Sequence, residues 1–126
     1  MRLITIALLL SGCASIDAIY DRSRWIYDGL EVATYTWQVE SDPVRCGLHY
    51  IRDSRLLWGC AVRVRGAVQQ HGARPVPGSN GAGGHCFVYS NAPEDEARRI
   101  TTRHGDDLWS HELRHCRGWV HPRRKP

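Results

Sequence analysis

Four things are missing from this 126-residue sequence, and each absence removes a class of protein. No apolar run is long enough to be a transmembrane helix: Leu3 to Leu10 falls well short of the ~20 residues needed to cross ~30 Å of bilayer core. No strong charge excess is present. Lys and Arg number 17 against 13 Asp and Glu, a net +4, which gives no electrostatic footprint for nucleic acid. The basic end, Pro122-Arg123-Arg124-Lys125-Pro126, reads as a solvated terminus, and no nucleic-acid partner is expected. None of the five cysteines stands in the paired C-x-x-C spacing of a structural zinc site, and no internal repeat points to a solenoid.

What is present begins with an export signal. Arg2 is followed by the apolar stretch, then by small residues and a cysteine, the order of a secretory leader. Leu10-Ser11-Gly12-Cys13 looks like a bacterial lipobox, which implies a signal peptide over 1–12 and a lipidated first residue at Cys13. Ala14 is not the aspartate that retains such proteins at the inner membrane. The expected location is therefore the cell envelope, anchored by lipid in the outer membrane and facing the periplasm. Residues 13–30 read as a lipidated N-terminus and tether, or an amphipathic helix, and 31–126 as the folded domain. Cys46, Cys60, Cys86 and Cys116 remain, an even number in an oxidising compartment. Two disulfides are expected, with three pairings open.

Hydrophobic patterning gives an α+β domain: a small twisted sheet of about four strands packed on a C-terminal helix. Strands are expected over about 31–40, 46–51, 57–64 and 85–90, where β-branched and aromatic residues dominate. Residues 72–84 carry two prolines and five glycines and are expected to form a long mobile loop. A short helix is expected over 91–99 with Asn91 as its N-cap. A longer one follows, capped by Asp106 or Asp107, with Leu108, Trp109 and Leu113 facing the core. Cys116 lies on the same side, able to pin that helix to the sheet.

The chemistry is concentrated in this last helix. Residues 111–121 read His-Glu-Leu-Arg-His-Cys-Arg-Gly-Trp-Val-His. Histidines four apart lie on one helix face, so His111 and His115 can share one metal ion. Gly118 can take the left-handed conformation that ends a helix, and the turn can return His121 as third ligand. Three histidines leave a fourth position open, as in a catalytic zinc site. Glu112 stands beside them as the candidate general base.

The segment resembles the metzincin clan of zinc metalloproteases, whose signature is HExxHxxGxxH. The resemblance implies one Zn2+ per chain held by His111, His115 and His121, Glu112 as base, Gly118 as pivot, and a peptide or protein substrate. Zinc would polarise the scissile carbonyl and acidify water towards a pKa of roughly 7, and Glu112 would take and return the proton. An extended substrate would pair with an antiparallel edge strand, assigned by position to 85–90, with the 72–84 loop as a gate. Metzincins also set a methionine turn beneath the metal. The one methionine here is Met1, so the floor must come from Trp119 or upstream strands. Tyr89, Tyr50 and Arg114 are available as oxyanion donors. His49, His71, His85 and His104 read as surface or supporting residues, His85 and His104 being the substitutes should His121 fail to reach. The alternative function is a non-catalytic, disulfide-stapled zinc-binding envelope lipoprotein.

Overall fold

A computed structural model describes residues 24–46, 57–66, 70–102 and 105–122. Its strands are β1 (Ile26–Tyr27), β2 (Thr34–Val39), β3 (Gly59–Val64), β4 (Arg74–Pro75), β5 (His85–Ser90) and β6 (Trp119–Val120). Two helices, α1 (Glu94–Ala97) and α2 (Leu108–Cys116), complete the α+β order. β3, β5, β2 and β4 form one mixed sheet in that spatial order, and β1 pairs with β6 in a separate two-stranded ribbon. β2 and β5 run parallel; every other pairing is antiparallel.

The sheet forms because alternate residues of its strands bury one face against α2. Tyr35, Cys86 and Val88 meet Leu113 and Cys116 of the helix in one core cluster. Complete burial of a leucine such as Leu113 contributes about 1.5–3 kcal/mol. The helix is fastened at both ends. Near its start, Trp109 Nε1 donates to Glu94 Oε2 (2.8 Å), a carboxylate that also accepts from the Tyr35 hydroxyl and from Arg74. At its end, Cys116 is bonded to Cys86 of β5, and a second disulfide joins Cys46 to Cys60. These are the two expected bridges, with the pairing now resolved.

Several expectations need correction. Residues 85–90 are an interior strand, not an edge: β5 pairs with β2 on one side and β3 on the other. The antiparallel strand beside α2 at the margin is β3, which pairs only with β5 among the described residues. His85 is no surface residue. It is fully buried, its two ring nitrogens 2.8 and 3.0 Å from the hydroxyls of Thr34 and Thr36, and burial holds its pKa below the usual histidine value. The 72–84 segment is tied down rather than free to gate. Arg74–Pro75 pairs with β2, Val76 is buried and bonds Ala33, and Ser79 Oγ donates to the Val32 carbonyl.

Asn91 does not cap α1; its side chain accepts from Trp58 N, and Pro93 takes the cap position. In β3 the valines face outward and Arg63 faces inward, bonded to Asp28 and the Leu30 carbonyl. Of the 13–30 tether, residues 24–30 are built into the domain, since β1 pairs with β6 and Asp28 N bonds the Gly118 carbonyl. Cys46 ends a 3-10 turn, Pro43–Cys46. The rest of the 46–51 stretch, the leader with Cys13, His49, Tyr50, His104 and the basic tail beyond Pro122 lie outside the described residues.

Two predictions follow from these fastenings. Replacing Cys86 and Cys116 together by alanine should lower unfolding free energy by about 2–5 kcal/mol, read by denaturant titration. Burial works to raise the Glu94 carboxyl, but hydrogen bonds from Tyr35, Arg74 and Trp109 outweigh it and hold its pKa below 4.5, with Arg98 also within 3.7 Å. A depressed carboxyl contributes stability above the unfolded value and loses it as pH falls towards the folded one. Stability should therefore drop as pH falls below about 4.5. Glu94→Gln should be less stable at pH 7 and show a flatter acid limb in thermal melts taken across pH.

Candidate metal centre

The site grows out of the two ends of α2. At the start, two adjacent aspartates divide the work. Asp107 is the N-cap, its side chain accepting from Ser110 N (2.7 Å), and Asp106 turns the other way, its Oδ2 3.0 Å from His111 Nδ1. One turn along, His115 projects from the same face. At the end, Gly118 adopts φ +96° and the chain reverses into β6. Glycine is required twice over. L-residues are strained at that φ, and a Cβ there would stand 2.8 Å from the Tyr27 ring. Beyond this turn His121 comes back beside the helix.

The three imidazoles converge. His111, His115 and His121 each offer a ring nitrogen within 4.8 Å of the others, and the Nε2 atoms of His111 and His121 are 3.1 Å apart. Ring centroids are separated by 4.9–5.3 Å. Three imidazoles at 2.0–2.1 Å from one tetrahedral ion would have nitrogens about 3.3 Å apart and centroids about 5 Å apart.

The other nitrogen of each ring is engaged. His111 Nδ1 meets Asp106, His115 Nδ1 meets the Trp119 carbonyl at 2.9 Å, and His121 Nδ1 meets the Arg24 carbonyl at 3.0 Å. Carbonyls accept only, and so does an ionised carboxylate, so each Nδ1 carries the proton and each Nε2 presents a lone pair in the neutral ring. At 3.1 Å the two Nε2 atoms stand close enough to share a proton or a metal ion between them. The donor set, its tautomers and its spacing thus fit a metal ion.

The electrostatics agree. His115 is pushed down to about 3, first by burial, then by the repulsion that protonation of His111 or His121 would add, with Arg63 acting in the same direction against the Trp119 hydrogen bond. It stays neutral, the form that ligates. At Asp106 burial favours the acid, but the Thr102 hydroxyl and His111 outweigh it and keep the carboxylate ionised.

Glu112 is buried beside the histidine pair, with its carboxylate against Gly59 at the start of β3. A Cβ at residue 59 would lie 3.0 Å from Glu112 Oε2, so a side chain there would press the carboxylate back by a few tenths of an ångström. Of the residues available as oxyanion donors, Tyr89 lies under Arg45, and Arg114 sits over Trp25 and Trp119. His71 is exposed and apart from the cluster, and His85 is held in the sheet.

Three residues that sequence reading missed belong to the site's surroundings: Asp106 as the His111 partner, Arg63 beside His115, and Trp25. The indole of Trp25 lies within 5.1 Å, centroid to centroid, of all three imidazoles. Asp106 was legible as one of two cap candidates; nothing local marks the other two.

Gly118→Ala should cost about 1–2 kcal/mol for the left-handed backbone, and more for the clash with Tyr27. Metal content, measured beside the thermal midpoint, should fall with stability because the same turn carries His121. No protein-family model, curated protein sequence or solved structure matches this chain.

Proposed function

We propose that this chain is a zinc-dependent endopeptidase, anchored in the bacterial envelope by lipid on Cys13, with His111, His115 and His121 as ligands and Glu112 as general base. The observation that carries the proposal is the set of three acceptor bonds to Nδ1, which leave the Nε2 atoms of a close histidine cluster for a metal, on a helix that also carries the buried Glu112. Metal-ligating histidines characteristically donate their other N–H to a carboxylate or carbonyl in this way. A three-imidazole set leaves one of four tetrahedral positions to water or substrate, which suits catalytic zinc. When bound, zinc would supply Lewis acidity to the scissile carbonyl and acidify water.

The protein's own residues would do the rest. Glu112, one residue beyond His111 and on the β3 side of α2, would take a proton from the attacking water and return it to the leaving amine. β3 offers an antiparallel strand beside the helix, along which an extended peptide can add by backbone hydrogen bonds. This replaces 85–90 as the substrate edge. Asp106, by accepting from His111, would raise the basicity of that ligand.

Elemental analysis of the purified chain should give about one zinc per chain, lost in His115→Ala. Glu112→Gln should keep the zinc and lose peptide hydrolysis by ~10^2-fold or more. Retained zinc with no Glu112-dependent cleavage across a broad peptide panel would instead identify the non-catalytic zinc-binding lipoprotein. Cys13→Ser should release the protein from the membrane fraction.

A further inference from the structure

We infer that Trp25 is the floor of the metal centre: its indole packs against all three ligand imidazoles and fixes their tilt. The inference rests on the metal-centre reading above and assigns the residue on which that centre is built.

Trp25 touches the three ligands at once. Its ring centroid is 4.9 Å from that of His111, 5.1 Å from His115 and 4.2 Å from His121, with interplanar angles of 57°, 51° and 40°. A side chain that meets three converging rings at such angles constrains a motion their hydrogen bonds leave open. Each Nδ1 bond fixes one point of an imidazole, and the ring can still rock about that point. An aromatic surface against the ring stops the rocking.

The indole is itself held on both sides along the chain. The Arg24 carbonyl receives His121 Nδ1, Ile26–Tyr27 pairs with Trp119–Val120, and Asp28 N bonds the Gly118 carbonyl. The residues around Trp25 are thus tied to the same turn that delivers His121.

Helix geometry decides between a floor and a lid. At about 100° per residue, Glu112 and Arg114 lie about 80° to either side of the line through His111 and His115. Glu112 points to β3, where it meets Gly59. The Arg114 guanidinium lies 4.4 Å from the Trp25 ring and 5.1 Å from that of Trp119. Trp25 therefore closes the side of the cluster away from the proposed base, leaving the Glu112 and β3 side for substrate. The indole brings no ligand atom, since its nitrogen only donates, so it shapes the centre without entering the coordination sphere. It is a positioning residue.

The test compares the full chain with Trp25→Phe and Trp25→Ala, using zinc competed against a chromophoric chelator and Co2+ as a spectroscopic stand-in. The phenylalanine variant should bind zinc within a few-fold of the unsubstituted chain and keep its Co2+ visible spectrum. The alanine variant should bind ~10–100-fold more weakly, with a weaker, shifted Co2+ band. Part of the tryptophan emission should be quenched when Co2+ binds, and that part should vanish in Trp25→Phe. Should Trp25→Ala leave affinity and Co2+ spectrum unchanged, the floor is wrong while the metal centre stands. Tighter binding or faster turnover in Trp25→Ala would make Trp25 a lid and overturn the inference. If the unsubstituted chain binds no metal, the metal-centre reading fails and takes the floor with it.

Discussion

The structure depends on the acceptor bonds that fix three histidine tautomers. An imidazole with a mobile proton can point either nitrogen at a metal, and three such rings seldom agree. Here Asp106, Trp119 and Arg24 each supply an oxygen to one Nδ1. Those acceptors come from the turn before α2, from β6 and from the strand entry before β1. The histidine cluster therefore forms only when three separate parts of the chain have reached their places. A site that needs this much of the fold returns binding free energy to it, because ligand bound to the native state alone stabilises that state.

The rest of the molecule serves to hold α2 still. The Cys86–Cys116 bond fixes its last turn to the central strand, and Glu94 ties Trp109 near its first turn to Tyr35 of β2 and to Arg74 of β4. His115 sits one residue from the disulfide, so reduction would loosen a member of the histidine cluster and a helix end together. Glu112 is held on the β3 side by the space that Gly59 leaves for its carboxylate. Fold and site are thus coupled through two fixed points at the ends of a nine-residue helix.

Legibility in the sequence followed the distance over which each feature is determined. The grouping of His111, His115 and His121 and the turn at Gly118 could be read because helical spacing and the left-handed glycine turn are local rules. The division of Asp106 from Asp107 was half legible: both can cap, and only the packed site decides which one turns to His111. The pairing of Cys46 with Cys60 and of Cys86 with Cys116 was not legible, because it depends on which strands adjoin. The edge role given to 85–90 by its position in the chain fails for the same reason, since position does not say which strands lie on either side. Trp25 lies 86 residues or more before any of the three histidines, and no spacing rule reaches that far.

The most direct test of the central claim is X-ray absorption at the zinc edge of the loaded protein. Three imidazole nitrogens at about 2.0–2.1 Å with one further light-atom ligand, falling to two imidazoles in His121→Ala, is the result the geometry requires. Sulfur in the first coordination sphere, or an imidazole number unchanged by loss of His121, would contradict a centre built from these three rings.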